Sequence, residues 1–120
     1  MSKVLIVDDS ATMREMIAAL LQKHGMTTVL AGDGVEAQVQ FEASAPDLVI
    51  TDIVMPRMNG YEFCRWMKSD NNRKDVPVVL CTSKSEEFDR YWGMKQGADA
   101  YIAKPFQPEE LIDTVRQLLK

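Results

Sequence analysis

Four short apolar stretches of this chain end in groups that can handle a charged oxyanion. Val4-Leu5-Ile6-Val7 runs into Asp8-Asp9, Leu48-Val49-Ile50 into Thr51-Asp52, Val76 to Cys81 into Thr82-Ser83, and Ala100-Tyr101-Ile102 leads to Lys104-Pro105. Three carboxylates gathered in one place repel, and at least one pKa must rise unless a cation neutralises them. Carboxylate oxygens are hard ligands, and a few of them with retained waters suit Mg²⁺, with Mn²⁺ as a substitute. Such an ion can carry a phosphate oxygen. Phosphoryl transfer needs a nucleophile in line and positive groups on the equatorial oxygens. A carboxylate can be that nucleophile, Lys104 offers a compact positive charge, and Thr82 offers a hydroxyl donor. Each residue also has an ordinary reading. Asp9 could cap a helix, Thr82 could be a satisfied strand-end hydroxyl, and Lys104 a solvated amine. Convergence at four strand ends outweighs these separate readings.

The elements that must position these groups follow from the pattern of apolar residues. Val4 to Val7 is too short for a helix and rich in branched residues, which favours a buried strand. Ser10 caps a helix in which Met13, Ile17, Leu20 and Leu21 recur at helical spacing, and Gly25 stops it. Thr28 to Leu30 is a second strand, and Asp33-Gly34 turns into a second helix. There Val35, Ala37, Val39 and Phe41 alternate with period two, but a parallel crossover is required, so a helix is expected. Leu48 to Ile50 is the third strand, followed by the turn Pro56-Arg57-Met58-Asn59-Gly60. Phe63 and Met67 mark a third helix, and a polar loop runs from Ser69 to Asp75. Val76 to Cys81 is a fourth strand with Pro77 near its start. Glu86 to Gln96 is a fourth helix closed by Gly97, and Ala100 to Ile102 a fifth strand. Pro108 opens the last helix, with Leu111, Val115 and Leu118 on one face. Strands this apolar predict a parallel sheet covered on both sides, an α/β doubly wound (βα)5 architecture of the flavodoxin-like kind. In such sheets ligands bind beyond the carboxyl ends of the strands.

The 120 residues suit one compact domain, expected over 1–120, with no repeat or linker to divide it. A net charge of −4 argues against direct contact with nucleic acid, which needs a basic stripe. No apolar run of about 18 residues is present, so no membrane insertion is expected. MSKVLIVDD is not a secretory signal. Cys64 and Cys81 lack metal or redox spacing and read as free thiols in the cytoplasm.

Val7-Asp8-Asp9-Ser10, Asp47 to Asp52, Met55 to Gly60, Thr82-Ser83, Gly97-Ala98-Asp99 and Lys104-Pro105-Phe106 occur in one order along the whole chain. Together they resemble the receiver domain of two-component response regulators. The resemblance implies strand order 2-1-3-4-5 and Asp52 as phosphoacceptor. It implies Mg²⁺ held by Asp8, Asp9, Asp52 and the Val54 backbone carbonyl. It also implies Thr82 and Lys104 as phosphate contacts, Tyr101 at the aromatic switch position, and a cis Lys104–Pro105 peptide. Such a domain assists its own phosphorylation and dephosphorylation but is not an enzyme in the usual sense. Val54 and Lys84 depart from the residues many members carry beside the site, so the lifetime of the phosphoryl group is where this chain is expected to differ.

The implied donor is a histidine kinase or a phosphotransfer protein. No DNA-binding segment follows residue 120, so output is expected through a protein target on the face of the fourth helix, fifth strand and fifth helix. Tyr91 to Gly97 is similar to stand-alone regulators of type IV pilus or chemotaxis-like systems. Three rival readings fit less well. A haloacid-dehalogenase-like phosphatase wants a D-x-D pattern where Asp8-Asp9-Ser10 stands, and a flavodoxin wants a phosphate loop where two anions would repel the ligand. A pseudo-receiver usually lacks an acid or the lysine, and here none is missing.

Overall fold

The structure, a computed structural model, describes residues 2–84 and 86–120. Met1 and Ser85, within the domain expected over 1–120, lie outside the described residues. Five strands alternate with five helices: β1 (Lys3–Val7), α1 (Ala11–Lys23), β2 (Thr27–Ala31), α2 (Gly34–Ser44), β3 (Leu48–Thr51), α3 (Gly60–Lys68), β4 (Val78–Thr82), α4 (Glu87–Lys95), β5 (Ala100–Ala103) and α5 (Pro108–Leu118). All strand pairs are parallel and the order is β2-β1-β3-β4-β5. This is the doubly wound arrangement expected above.

Side chains alternate across a strand, and that alternation divides the core in two. Leu5, Val7, Val49, Val78, Leu80 and Tyr101 pack with Ala37 and Phe41 of α2 and Phe63, Cys64 and Met67 of α3. Val4, Ile6, Leu48, Ile50, Val79, Cys81 and Ile102 face the other way, onto Ile17 and Leu21 of α1 and Leu111 and Val115 of α5. Leu5, Ile6, Ile17, Leu21, Phe63 and Leu111 are among the largest fully buried side chains. Each such side chain contributes about 1.5–3 kcal/mol relative to exposure. Both thiols are buried and unbridged. Among the described residues no helix is long and apolar enough to cross a membrane.

Local signals set the ends of the helices. Ser10 Oγ accepts the Met13 N–H at 3.2 Å and starts α1. The chain leaves that helix through Gly25 at φ +85°, a conformation open to glycine without a Cβ penalty. Asn59 and Glu62 form a reciprocal capping box at α3. The helix α2 forms despite its period-two alternation. Its buried positions are Gly34, Ala37 and Phe41, at helical spacing, while Val39 is left exposed.

Two expectations need correction. The strand β2 is not dry: it is the sheet edge, with Thr27 and Leu30 exposed. The strand β4 begins at Val78, not Val76. Pro77 has no N–H to donate to a ladder, although its carbonyl accepts from Val49 at 2.9 Å.

Candidate functional site

The register places the four chemistry-bearing strand ends side by side. Val7 pairs with Thr51 and Thr82 with Ala103, and the Asp52 N–H donates to the Val7 carbonyl at 2.9 Å. Asp8, Asp9 and Asp52 follow immediately, each offering a carboxylate oxygen within 4.8 Å of the others. Asp8 is buried, Asp52 half-buried and Asp9 exposed, so the cluster opens to solvent on one side.

Lys104 closes the other side. Its Nζ donates to Asp8 Oδ2 at 2.7 Å and to Asp52 Oδ2 at 2.9 Å. Burial pushes the ammonium pKa down, but hydrogen bonds and charge from Asp8 and Asp52 outweigh it and hold the group above its ordinary value. Three carboxylates against one ammonium leave two formal negative charges, which one divalent cation would balance. The donor set is all hard oxygen, so the residues present fit such an ion.

The remaining contacts fix orientation. Asp8 Oδ1 accepts the Ser10 N–H at 2.9 Å, and Asp52 Oδ1 accepts the Ile53 N–H at 2.6 Å. The cap of α1 is Ser10, so Asp9 is not needed there. Lys104 N–H donates to the Thr82 carbonyl at 2.8 Å, tying the ends of β4 and β5 together. Thr82 is fully buried, and its hydroxyl oxygen accepts the Lys84 N–H at 3.3 Å. Val54 is exposed, and the Lys84 ammonium sits 3.8 Å from Asp89 of α4.

Tyr101 already lies inside. It is 6% exposed, its hydroxyl donates to the Lys84 carbonyl, and the Arg90 guanidinium lies over its ring. Burial pushes its phenol up to about 12. The room for the ring comes from Gly93, where a Cβ would stand 2.7 Å from Leu80 and 3.2 Å from the Tyr101 ring. The residue that the resemblance implies as an aromatic switch thus has its ring inside the fold. On the outer side of α4, Phe88, Tyr91, Trp92 and Met94 are exposed.

Three residues near the site escaped the sequence reading. Arg14 donates to the Asp8 carbonyl at 2.5 Å. Asp33 and Arg57 form an ion pair at 2.8 Å that joins α2 to the loop after β3. The only signal for Arg14 is its place one turn into α1, and for Asp33 the capping position before α2.

The sequence matches the family model described as "Response regulator receiver domain" over residues 4–116. The chain belongs to the response regulator receiver domain family. Receiver domains are phosphoacceptors of two-component systems rather than enzymes in the usual sense. The "DNA-binding response regulator MtrA" of Mycobacterium tuberculosis is 40% identical over 118 residues, covering 98% of this chain and 50% of that protein. The chain thus spans about half the length of its MtrA-type relatives. "Protein PilH" of Pseudomonas aeruginosa is 38% identical over 119 residues, covering 99% of this chain and 98% of that one. Among solved structures, the receiver domain of sensor histidine kinase PA1611 from Pseudomonas aeruginosa matches with a TM-score of 0.90 and 27% identity. The match covers 98% of this chain and 97% of that one. That structure is described as having a magnesium ion coordinated in the active site cleft.

Proposed function

We propose that this receiver domain accepts a phosphoryl group on Asp52 in a Mg²⁺-dependent reaction and signals through the resulting change of shape. The observation that supports this reading most is the gathering of Asp8, Asp9 and Asp52 within 4.8 Å, with Lys104 bonded to two of them. Asp8, Asp9, Asp52 and the Val54 carbonyl would hold the ion. When bound, it supplies positive charge to oxygens of the incoming phosphoryl group.

The chain's own residues perform the rest. A histidine kinase or phosphotransfer protein presents a phosphohistidine. An Asp52 oxygen forms the new P–O bond as the P–N bond breaks, and the electron pair returns to the imidazole, which takes a proton from solvent. Lys104, released from Asp52 Oδ2 as that carboxylate reacts, meets the developing charge on the phosphoryl oxygens. The Thr82 hydroxyl, now an acceptor from the Lys84 N–H, rotates to donate. The exposed, apolar Val54 gives a hydrolytic water no hydrogen bond, which favours a long-lived aspartyl phosphate.

Output passes through the face built by α4, β5 and α5. Adding nearly two negative charges beside Thr82 and Lys104 alters the ends of β4 and β5, which border that face. Phe88, Tyr91 and Trp92 are exposed aromatics there, the kind of residue that anchors protein partners. The pathway is a motility-type one, read from Tyr91 to Gly97, and PilH is a relative matched over nearly the whole of both chains. Incubation with acetyl phosphate should add one phosphoryl mass with Mg²⁺ present and none when the metal is chelated. Equal labelling in both would contradict the metal-dependent reading.

A further inference from the structure

The loop from β3 to α3 is pinned at two places. At one, Gly60 packs on the Asp52–Ile53 peptide so closely that a Cβ there would stand 2.0 Å from the Asp52 carbonyl oxygen. At the other, the loop is tied to the start of α2. Asp33, 7% exposed, uses Oδ1 to accept the Glu36 N–H at 2.9 Å and Oδ2 to accept Arg57 Nε and Nη2, both at 2.8 Å. The Met58 carbonyl accepts the Gly34 N–H at 3.1 Å. The Met58 side chain fills the place a Cβ of Gly34 would need, 2.6 Å away.

Arg57 pays for this position in backbone conformation. Its φ is +65°, the left-handed region that a residue with a Cβ adopts reluctantly. An ion pair that keeps a side-chain-bearing residue in that region, three positions after Val54, points to a demand on the loop's path. The Asp33 carboxyl is held below its usual range, first by Arg57 and then by the Glu36 N–H, so the pair is charged at neutral pH.

We propose that Asp33 and Arg57 are positioning residues for the divalent-cation site, holding the loop that carries Val54 on the path its carbonyl needs to meet the ion. This rests on the reading that Asp8, Asp9, Asp52 and the Val54 carbonyl bind Mg²⁺. A purely structural role makes a different forecast. Arg57→Gly removes the left-handed strain, so a glycine should leave stability equal or higher while it frees the loop.

The test is a Mg²⁺ titration followed by backbone amide shifts, beside thermal unfolding without metal, for the wild type, Arg57→Gly, Asp33→Asn, the double variant and Asp9→Asn. Arg57→Gly should bind Mg²⁺ roughly tenfold more weakly, the scale of losing an outer-shell support, with a melting temperature at or above wild type. Asp33→Asn keeps the capping oxygen and should weaken binding too. The double variant should be no worse than the weaker single one, because the pair acts as a unit. Coincident curves for Arg57→Gly and wild type, with Asp9→Asn impaired, would overturn the positioning role alone. Weaker binding by Arg57→Gly matched by a lower melting temperature of that variant would assign the pair to structure and also overturn it. An unimpaired Asp9→Asn would overturn the site reading, and this proposal with it.

Discussion

Asp9 and Ser10 are neighbours with separable duties, and the separation can be measured. Ser10 caps α1, whereas Asp9 belongs to the acidic cluster. Ser10→Ala should cost about 1 kcal/mol of stability and leave Mg²⁺ binding near wild type. Asp9→Asn should do the reverse, which denaturant unfolding and metal titration together would show. Asp33 makes a pH prediction. Its folded pKa lies below 3.8, so its contribution is present above that value and lost as pH falls through the folded pKa. The stability advantage of wild type over Asp33→Asn should therefore shrink as acid denaturation is followed below about pH 3.8. A constant gap across that window would mean the Asp33 charge is not what stabilises the contact. The acids and the lysine were readable from sequence because each lies one or two residues after an apolar run, and a parallel sheet aligns such ends. Arg57 was not, because nothing local marks which carboxylate a loop arginine will reach. Its partner is 24 positions away in sequence.

At the scale of elements, α4 and β5 carry the least expected feature. Tyr101 stands at the position the resemblance implies for an aromatic switch, and the structure has its ring inside the fold, against Gly93. A glycine within a helix usually weakens it, and here the missing side chain is what lets the ring and α4 come together. Gly93→Ala should push the ring outward and cost about 1–3 kcal/mol, the usual penalty for overpacking. Tyr101 side-chain NMR shifts would register the displacement, and unchanged shifts would mean the contact tolerates a methyl group. The starts of α1, α2 and α5 were legible because Ser10, Asp33 and Pro108 are strong local signals, whereas Asn59, the cap of α3, reads from sequence only as part of a turn. The wet edge of β2 was not, since Thr28-Val29-Leu30 is as apolar as a central strand and only the strand order makes it an edge.

Across the whole molecule, the sheet brings residues from positions 8, 52, 82 and 104 to one rim, and helices pack on both of its faces. The rhythm of strand and helix and the two-sided core follow from short apolar runs separated by crossovers, whereas the strand order came from the family resemblance. A change at the rim has a short path to the exposed aromatics of α4, because Lys84 bonds both Thr82 and Tyr101 through its backbone. The central claim is that Asp52 is the residue that takes the phosphoryl group. Borohydride reduces an aspartyl phosphate to homoserine, and peptide mass spectrometry after labelling with acetyl phosphate and Mg²⁺ locates it. The account predicts homoserine at position 52 alone, with none in Asp52→Asn. Homoserine at Asp8 or Asp9, or undiminished labelling of Asp52→Asn, would contradict it.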